Sequence, residues 1–356
     1  MPTKPLATSD LDEVLQHARP SFEHLRNATL FITGGTGFFG HWLLESLLHA
    51  NRRLGVNARA TVLTRSPDAF RTKSPDISRN PAITLLEGDI RTFTFPSERH
   101  THILHAATDS GGPQAQRPAY DLAESILDGS RRVLHFARET GAKRLLYTST
   151  GAVYGRSTTL PHTPETYLGA PDPLQLASSY DEAKRMAEHL CIAYAHNTPL
   201  EPVIARCFAF VGPHLPLDAH FAIGNFIGAA IRNQPIHIKG DGTPRRSWLY
   251  MSDLAAWLWT LLTHGTANRA YNVGSDEAYT IAEAAHLTAN TLRPGRDGNS
   301  TLSIQIDGTP DPTAPLDSYV PAIDRARDEL GLRVSVPLKE ALRRTAAWHG
   351  HATAQT

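Results

Sequence analysis

Cysteine is scarce: Cys191 and Cys207 are the two in 356 residues. Both sit in apolar segments and read as reduced core thiols of a cytoplasmic protein, not as a disulfide framework. Net charge is absent as well, with 35 Lys and Arg against 35 Asp and Glu. A balanced chain carries no electrostatic footprint for a phosphate polymer, which excludes nucleic acid as the expected partner. The first residues lack the apolar run of a signal peptide. The most lipid-like stretch, Leu254 to Leu262, is roughly half the length of a membrane span and reads as a buried helix, so no membrane partner is expected. Histidine is plentiful at 18, yet His-Glu-x-x-His and paired Cys-x-x-Cys are both missing. His100, His102 and His105 share one segment, but an odd spacing puts His102 and His105 on opposite faces of a strand. No metal site is expected.

A glycine turn is what the chain does have. Leu30-Phe31-Ile32 reads as a buried strand, breaks at Thr33-Gly34-Gly35-Thr36-Gly37-Phe38-Phe39-Gly40, and resumes as a helix-spaced apolar run from His41 to Leu48. Strand, glycine turn and helix leave bare backbone N–H groups and a helix N-terminus where a pyrophosphate docks. The spacing Gly34-x-x-Gly37-x-x-Gly40 differs from the commonest dinucleotide fingerprint.

Downstream, Leu145 to Thr150 reads as a strand ending in hydroxyls, followed by Gly151-Ala152-Val153-Tyr154-Gly155. A helix from Ser179 to Glu188 then carries Tyr180 and Lys184 at i and i+4, on one face. An ammonium beside a phenol lowers its pKa from about 10 towards neutrality, which makes a general base for an alcohol proton. A hydroxyl at the neighbouring strand end holds the same oxygen.

Glycine loop, hydroxyl-tipped strand and Tyr-x-x-x-Lys, in this order, resemble the extended short-chain dehydrogenase/reductase family, the NAD-dependent epimerases and dehydratases of nucleotide sugars. The loop fits that family's T-G-x-x-G-F-x-G pattern at Thr33, Gly34, Gly37, Phe38 and Gly40. Gly88-Asp89-Ile90, His105-Ala106-Ala107, Val153-Tyr154-Gly155, Arg206 with Gly212-Pro213, Gly240 to Thr243 before Arg246, Tyr250 with Asp253, and Tyr271 to Gly274 continue the match. It covers residues 28–348.

The resemblance implies an α/β fold: a Rossmann-type doubly wound parallel sheet with a smaller C-terminal substrate-binding domain. Strand signals at 30–33, 60–64, 83–86, 102–105, 144–149, 202–207 and 270–273, alternating with helices near 40–50, 121–139, 179–196 and 251–263, point to the same sheet. Residues 1–27 form an N-terminal helical extension interrupted at Pro20. Residues 28–207, completed by 246–274, form the dinucleotide domain. Segments 208–245 and 275–350 form the substrate domain, with surface loops at 291–300 and 307–317.

The resemblance also assigns roles. Thr150, Tyr180 and Lys184 are catalytic, with Ser149 the weaker candidate beside Thr150. Gly34, Thr36, Gly37, Phe38 and Phe39 cradle the pyrophosphate, Asp89 and Ile90 meet the adenine, Ala106 and Ala107 line the nicotinamide side, and Lys184 bonds its ribose. Thr108, Thr150, Asn225 and Arg246 face the nucleotide-diphosphate sugar, and a planar guanidinium suits phosphate oxygens. His214, Asp218 and His220 are further candidates for the sugar pocket. A homodimer is implied.

Three departures narrow the chemistry. Ala209 stands where the family often has Asn before the Gly-Pro turn. After Val62-Leu63, Thr64 and Arg65 stand where a carboxylate usually bonds the adenosine 2′-hydroxyl of NAD, so Arg65 suits NADP, although it also suits stacking on adenine. Gly151 and Ala152 stand where 4,6-dehydratases carry an acidic pair. What remains is hydride chemistry at one carbon: a 4-epimerase passing through a 4-keto sugar, with a tightly held NAD or NADP. The alternatives are an NADPH-dependent keto-sugar reductase, a dehydratase or decarboxylase of the same family, and a non-catalytic dinucleotide sensor.

Overall fold

The computed structural model describes residues 2–108, 118–219, 221–295 and 300–351. Short runs rich in β-branched and aromatic residues become the strands of a seven-stranded parallel sheet. They are β1 (Thr29–Thr33), β2 (Arg59–Thr64), β3 (Ile83–Glu87), β4 (His102–His105), β5 (Arg144–Thr150), β6 (Glu201–Cys207) and β11 (Arg269–Val273), in the order β11-β6-β5-β4-β1-β2-β3. The bounds fall within a residue of those expected from the sequence. Strand order reverses between β1 and β4, which opens a crevice at their carboxyl ends.

The sheet is buried on both faces, as the near-continuous apolar strands demand. Leu30 and Ile32 belong to one core, and Phe31 between them belongs to the other. The first core lies under α3 (Phe38–Leu54) and α9 (Met251–His264); the second lies under α6 (Ala119–Thr140) and α7 (Ser179–Ala195). Two short helices, α4 (Pro67–Lys73) and α5 (Pro75–Ser78), link β2 to β3. Among the described residues no helix is long and apolar enough to cross a membrane.

The N-terminal residues form α1 (Thr8–His17) and α2 (Arg19–His24). The break falls at Ala18, and Pro20 lies in the first turn of α2, where its missing N–H is tolerated. Val14, Phe22 and Leu25 are fully buried, and Phe22 meets Trp259 of α9 at 5.6 Å between ring centroids.

Residues between and after the last sheet strands build smaller sheets. There β7 (Phe210–Val211) pairs with β10 (Leu249–Tyr250), and β8 (Ile236–Ile238) with β13 (Ile304–Ile306). Centrally, β9 (Arg245–Arg246) lies between antiparallel β12 (Tyr279–Thr280) and parallel β14 (Ser318–Tyr319). Around them are α8 (Ala222–Ile231), α10 (Ile281–Leu292), α11 (Asp324–Leu330) and α12 (Leu338–Trp348). A capping box between Thr280 and Glu283 starts α10. Of the loop expected at 291–300, residues 291 and 292 continue α10, and 296–299 lie outside the described residues.

Candidate active site

The crevice at the carboxyl edge of the sheet is a cleft of about 1040 Å³. Its floor is the glycine turn. Gly34 has φ +74°, and a Cβ there would stand 2.6 Å from the Ala106 carbonyl, so only glycine lets β1 turn this close to β4. A Cβ on Gly40 would overlap the Gly35 backbone, so glycine also allows α3 to seat against the turn. At its N-terminus α3 has Gly37 as cap and no side-chain cap. The first N–H groups of α3 therefore face the cleft without an internal partner, an arrangement that fits a pyrophosphate.

Thr36, Gly37, Phe38, Phe39, Arg65, Asp89, Ile90, Ala106 and Ala107 all line this cleft. Asp89 accepts from Arg91 Nε at 2.9 Å, and that bond holds its carboxyl below the usual range. Arg65 adds charge to the same carboxylate. Ser66, just past β2, and Lys73, at the end of α4, are not singled out in the sequence and also line the cleft. Among the described residues no group of His, Cys, Asp and Glu is placed to hold a metal ion.

At the other end β5 stops at Thr150 and α7 starts one residue before Tyr180, which brings Thr150, Tyr180 and Lys184 together in the cleft with Thr108. Lys184 is 1% exposed, donates to the Thr148 carbonyl at 2.9 Å, and lies 5.9 Å from the centre of the Tyr180 ring. Burial takes its pKa down to about 8. The expected depressed phenol is corrected here. Burial pushes Tyr180 up to about 12, and the hydroxyls of Thr108 and Thr150 offset only part of that. The cause is desolvation, the loss of water around a phenol whose ring centre lies 5.9 Å from the Lys184 ammonium, itself fixed on a carbonyl. Ser149 is buried beside the cleft, and among the described residues its hydroxyl has no hydrogen-bond partner.

Other expected residues fall elsewhere. Asn225 is exposed on α8 and is not part of the cleft lining, because the turn of α8 that faces the cleft presents Ala222 and Ile223 instead. His214 stacks on His41 at 4.2 Å and, like the exposed Asp218, is not part of the cleft lining, and His220 lies outside the described residues. Arg246 does line the cleft, with Asp317 accepting from it at 3.0 Å. Sequence reasoning missed Phe208 and Tyr319. The Phe208 ring covers Gly151, and Tyr319 from β14 brings a second phenol to 3.2 Å from Thr150 Oγ1. No local signal marks Tyr319, since its place depends on pairing with β9.

The model of the NAD dependent epimerase/dehydratase family matches residues 30–274. UDP-glucuronic acid decarboxylase 6 of Arabidopsis thaliana is 29% identical over 316 residues, covering 89% of this chain and 87% of that protein. UDP-glucuronic acid decarboxylase 1 of Xenopus tropicalis is 27% identical, covering 89% of this chain and 70% of its own. Among solved structures, a UDP-glucose 4-epimerase from Thermotoga maritima superposes with a TM-score of 0.73 at 20% identity, covering 90% of this chain and 98% of that one. The dTDP-glucose 4,6-dehydratase DesIV of Streptomyces venezuelae, solved with NAD, gives 0.75 at 23% identity, covering 90% and 97%. The structural likenesses establish the Rossmann-type fold. With the glycine turn, the sheet and this match over most of its length, the chain is an enzyme that belongs to the NAD-dependent epimerase/dehydratase family.

Proposed function

We propose that the protein is a nucleotide-sugar 4-epimerase that works through a transient 4-keto sugar. The observation that carries this reading is the chemistry beside Thr150. Tyr180 stands there as the acid–base group, while the next residues, Gly151 and Ala152, exchange no protons. A Cβ on Gly151 would meet the Phe208 ring at 2.6 Å, so this side of the cleft is walled by carbon. Asp89 is the one carboxylate among the described lining residues, and Arg91 holds it. Removing water across two carbons needs a second acid and base, which supports single-carbon chemistry.

Gly34, Gly37, Phe38 and Phe39 would hold the pyrophosphate of the dinucleotide, and Lys184 its nicotinamide ribose. Bound there, the nicotinamide supplies a hydride acceptor and donor at the sugar carbon and, when oxidised, a positive ring that stabilises a Tyr180 phenolate. Thr150 and Tyr180 hold the C4 oxygen, and Tyr180 takes its proton as the C4–H bond breaks. After the keto sugar turns over, Tyr180 returns the proton to the oxygen of the other epimer. Arg246, oriented by Asp317, grips the diphosphate from the smaller lobe. Exposed Tyr120 on α6 and Met186 and Ile192 on α7 support a homodimer through that helix pair.

Thr64, Arg65 and Ser66 at the end of β2, with Lys73 at the end of α4, support NADP at least as well as NAD. That same cationic end favours a second reading, an NADPH-dependent 4-keto-sugar reductase. Likeness to UDP-glucuronic acid decarboxylases favours a third, but Phe208 against Gly151 and Tyr319 against Thr150 add no cation there for a sugar carboxylate. The test is to denature the purified enzyme, identify any released dinucleotide, and assay nucleotide sugars without added cofactor. Interconversion of C4 epimers is the expected result. Activity only with stoichiometric NADPH replaces the epimerase by the reductase, and carbon dioxide release from a nucleotide uronic acid replaces it by the decarboxylase.

A further inference from the structure

Thr150 is not alone at the end of β5. Its Oγ1 accepts from the Ala152 N–H at 3.2 Å and lies 3.2 Å from the Tyr319 hydroxyl. Tyr319 also lies 3.5 Å from the Cys207 carbonyl, and its ring rests on Phe208 at 4.7 Å. A threonine hydroxyl has one proton and two lone pairs. When Tyr319 donates to Thr150, both lone pairs are filled and the threonine proton is left to point at the substrate oxygen. When Tyr319 donates to Cys207 instead, the threonine proton turns to the phenol and leaves the cleft. At 3.5 Å the Cys207 carbonyl is beyond the ordinary O–H···O range, which leaves Thr150 as the better acceptor for the phenol proton, and in that arrangement the chain of O–H groups also strengthens Thr150 as a donor. Burial raises the Tyr319 phenol, so it stays protonated and able to donate.

We infer that Tyr319 is a positioning residue for the reaction: it donates to Thr150 and so fixes the direction of the Thr150 proton. This rests on the role of Thr150 in the proposed function. The fold places that task beside the proposed diphosphate site. Tyr319 on β14 stands opposite Arg246 on β9, directly paired residues of neighbouring strands project from the same face, and both line the cleft. Arg246 and Tyr319 therefore reach the cleft from one small sheet.

The test is a double-mutant cycle on kcat and KM with the nucleotide sugar found active, using Tyr319→Phe, Thr150→Ala and both together. Tyr319→Phe is expected to lower kcat about tenfold with KM within about twofold, since the lost hydroxyl acts through Thr150. In the Thr150→Ala background the same change should cost no further rate, whereas Thr150→Ser should keep the dependence. Equal losses from Tyr319→Phe in both backgrounds, or no loss in either, overturn the positioning role. Denaturant melts of the four proteins read the Thr150–Tyr319 contact without turnover, and coupling there without coupling in kcat also overturns it. If the wild type turns over no nucleotide sugar at all, the proposed function falls and the positioning role falls with it.

Discussion

Glu188 and Arg206 tie the helix that carries Tyr180 to the strand that ends at the cleft. Arg206 donates through Nε to Oε1 at 3.0 Å and through its terminal nitrogen to Oε2 at 2.7 Å, with the side chains 18% and 10% exposed. The guanidinium also lies 4.6 Å from the centre of the Tyr154 ring, whose hydroxyl donates to Asn272. Glu188→Gln keeps the volume but removes the charge, and turns an N–H group towards a buried cation. Breaking a buried pair from one side costs about 3–5 kcal/mol, and the partial exposure of Arg206 puts the lower figure, about 3 kcal/mol, in place here. Against a total stability of about 5–15 kcal/mol this is a large fraction. With a urea slope of about 3 kcal/mol/M, the midpoint should fall by about 1 M. Because Glu188 sits one turn beyond Lys184, kcat should fall more than KM rises. Replacing both partners, with Glu188→Leu and Arg206→Met together, should recover most of the stability, since no charge is then left buried alone. A single-variant midpoint within about 0.3 M of wild type, or a double variant as unstable as the single, refutes this account.

Tyr180→Phe should lower turnover at least about a hundredfold with the fold intact, the usual share of a general acid–base group; near-normal rates remove Tyr180 from that role. Arg65→Ala should erase any preference for NADP over NAD in calorimetric titrations of dinucleotide-free protein, and a wild type that prefers NAD clearly would show that Arg65 only stacks on adenine. Burial lifts Glu45 from its ordinary 4.5 to about 7, so the folded state holds this proton more tightly than the unfolded chain does. That contribution is full at pH 4.5 and below and is lost as pH rises through about 7. Glu45→Gln, which still accepts the Leu6 N–H, should therefore melt level with wild type near pH 4.5 and above it at pH 8, and a wild-type advantage at pH 8 contradicts the reasoning.

The sheet is legible in the sequence because each of its strands is a short apolar run closed by turn residues, and the dinucleotide end of the cleft is legible for a related reason. Gly34, Gly37 and Gly40 act within one strand-turn-helix unit, so their spacing alone states the backbone geometry. Tyr180 and Lys184 share one helix, and the period of that helix puts them side by side. Where a role depends on contacts far along the chain, local pattern stops helping. Asn225 reads as a ligand from its neighbours in sequence, yet the packing of α8 turns it to solvent. The sign of the Tyr180 shift depends on how much water the walls exclude, which no helix period records.

Tyr319 shows the same limit from the other side, and it explains why the reacting end needs two lobes. A general acid–base group buried deeply enough to exclude water is held in its neutral form, so Tyr180 needs partners that favour the charged one. The Rossmann half offers Lys184, whose ammonium donates to the Thr148 carbonyl and keeps further N–H groups for the nicotinamide ribose. Thr150 has a single proton to give, and the substrate oxygen that it shares with Tyr180 is where that proton is needed. A second phenol that frees that proton has to reach Thr150 without its own strand joining the main sheet. The three-stranded sheet of β12, β9 and β14 does this, placing Tyr319 beside Arg246 at the mouth of the same cleft. The strand that brings Tyr319 to Thr150 thus comes from outside the main sheet, paired with the strand that carries Arg246.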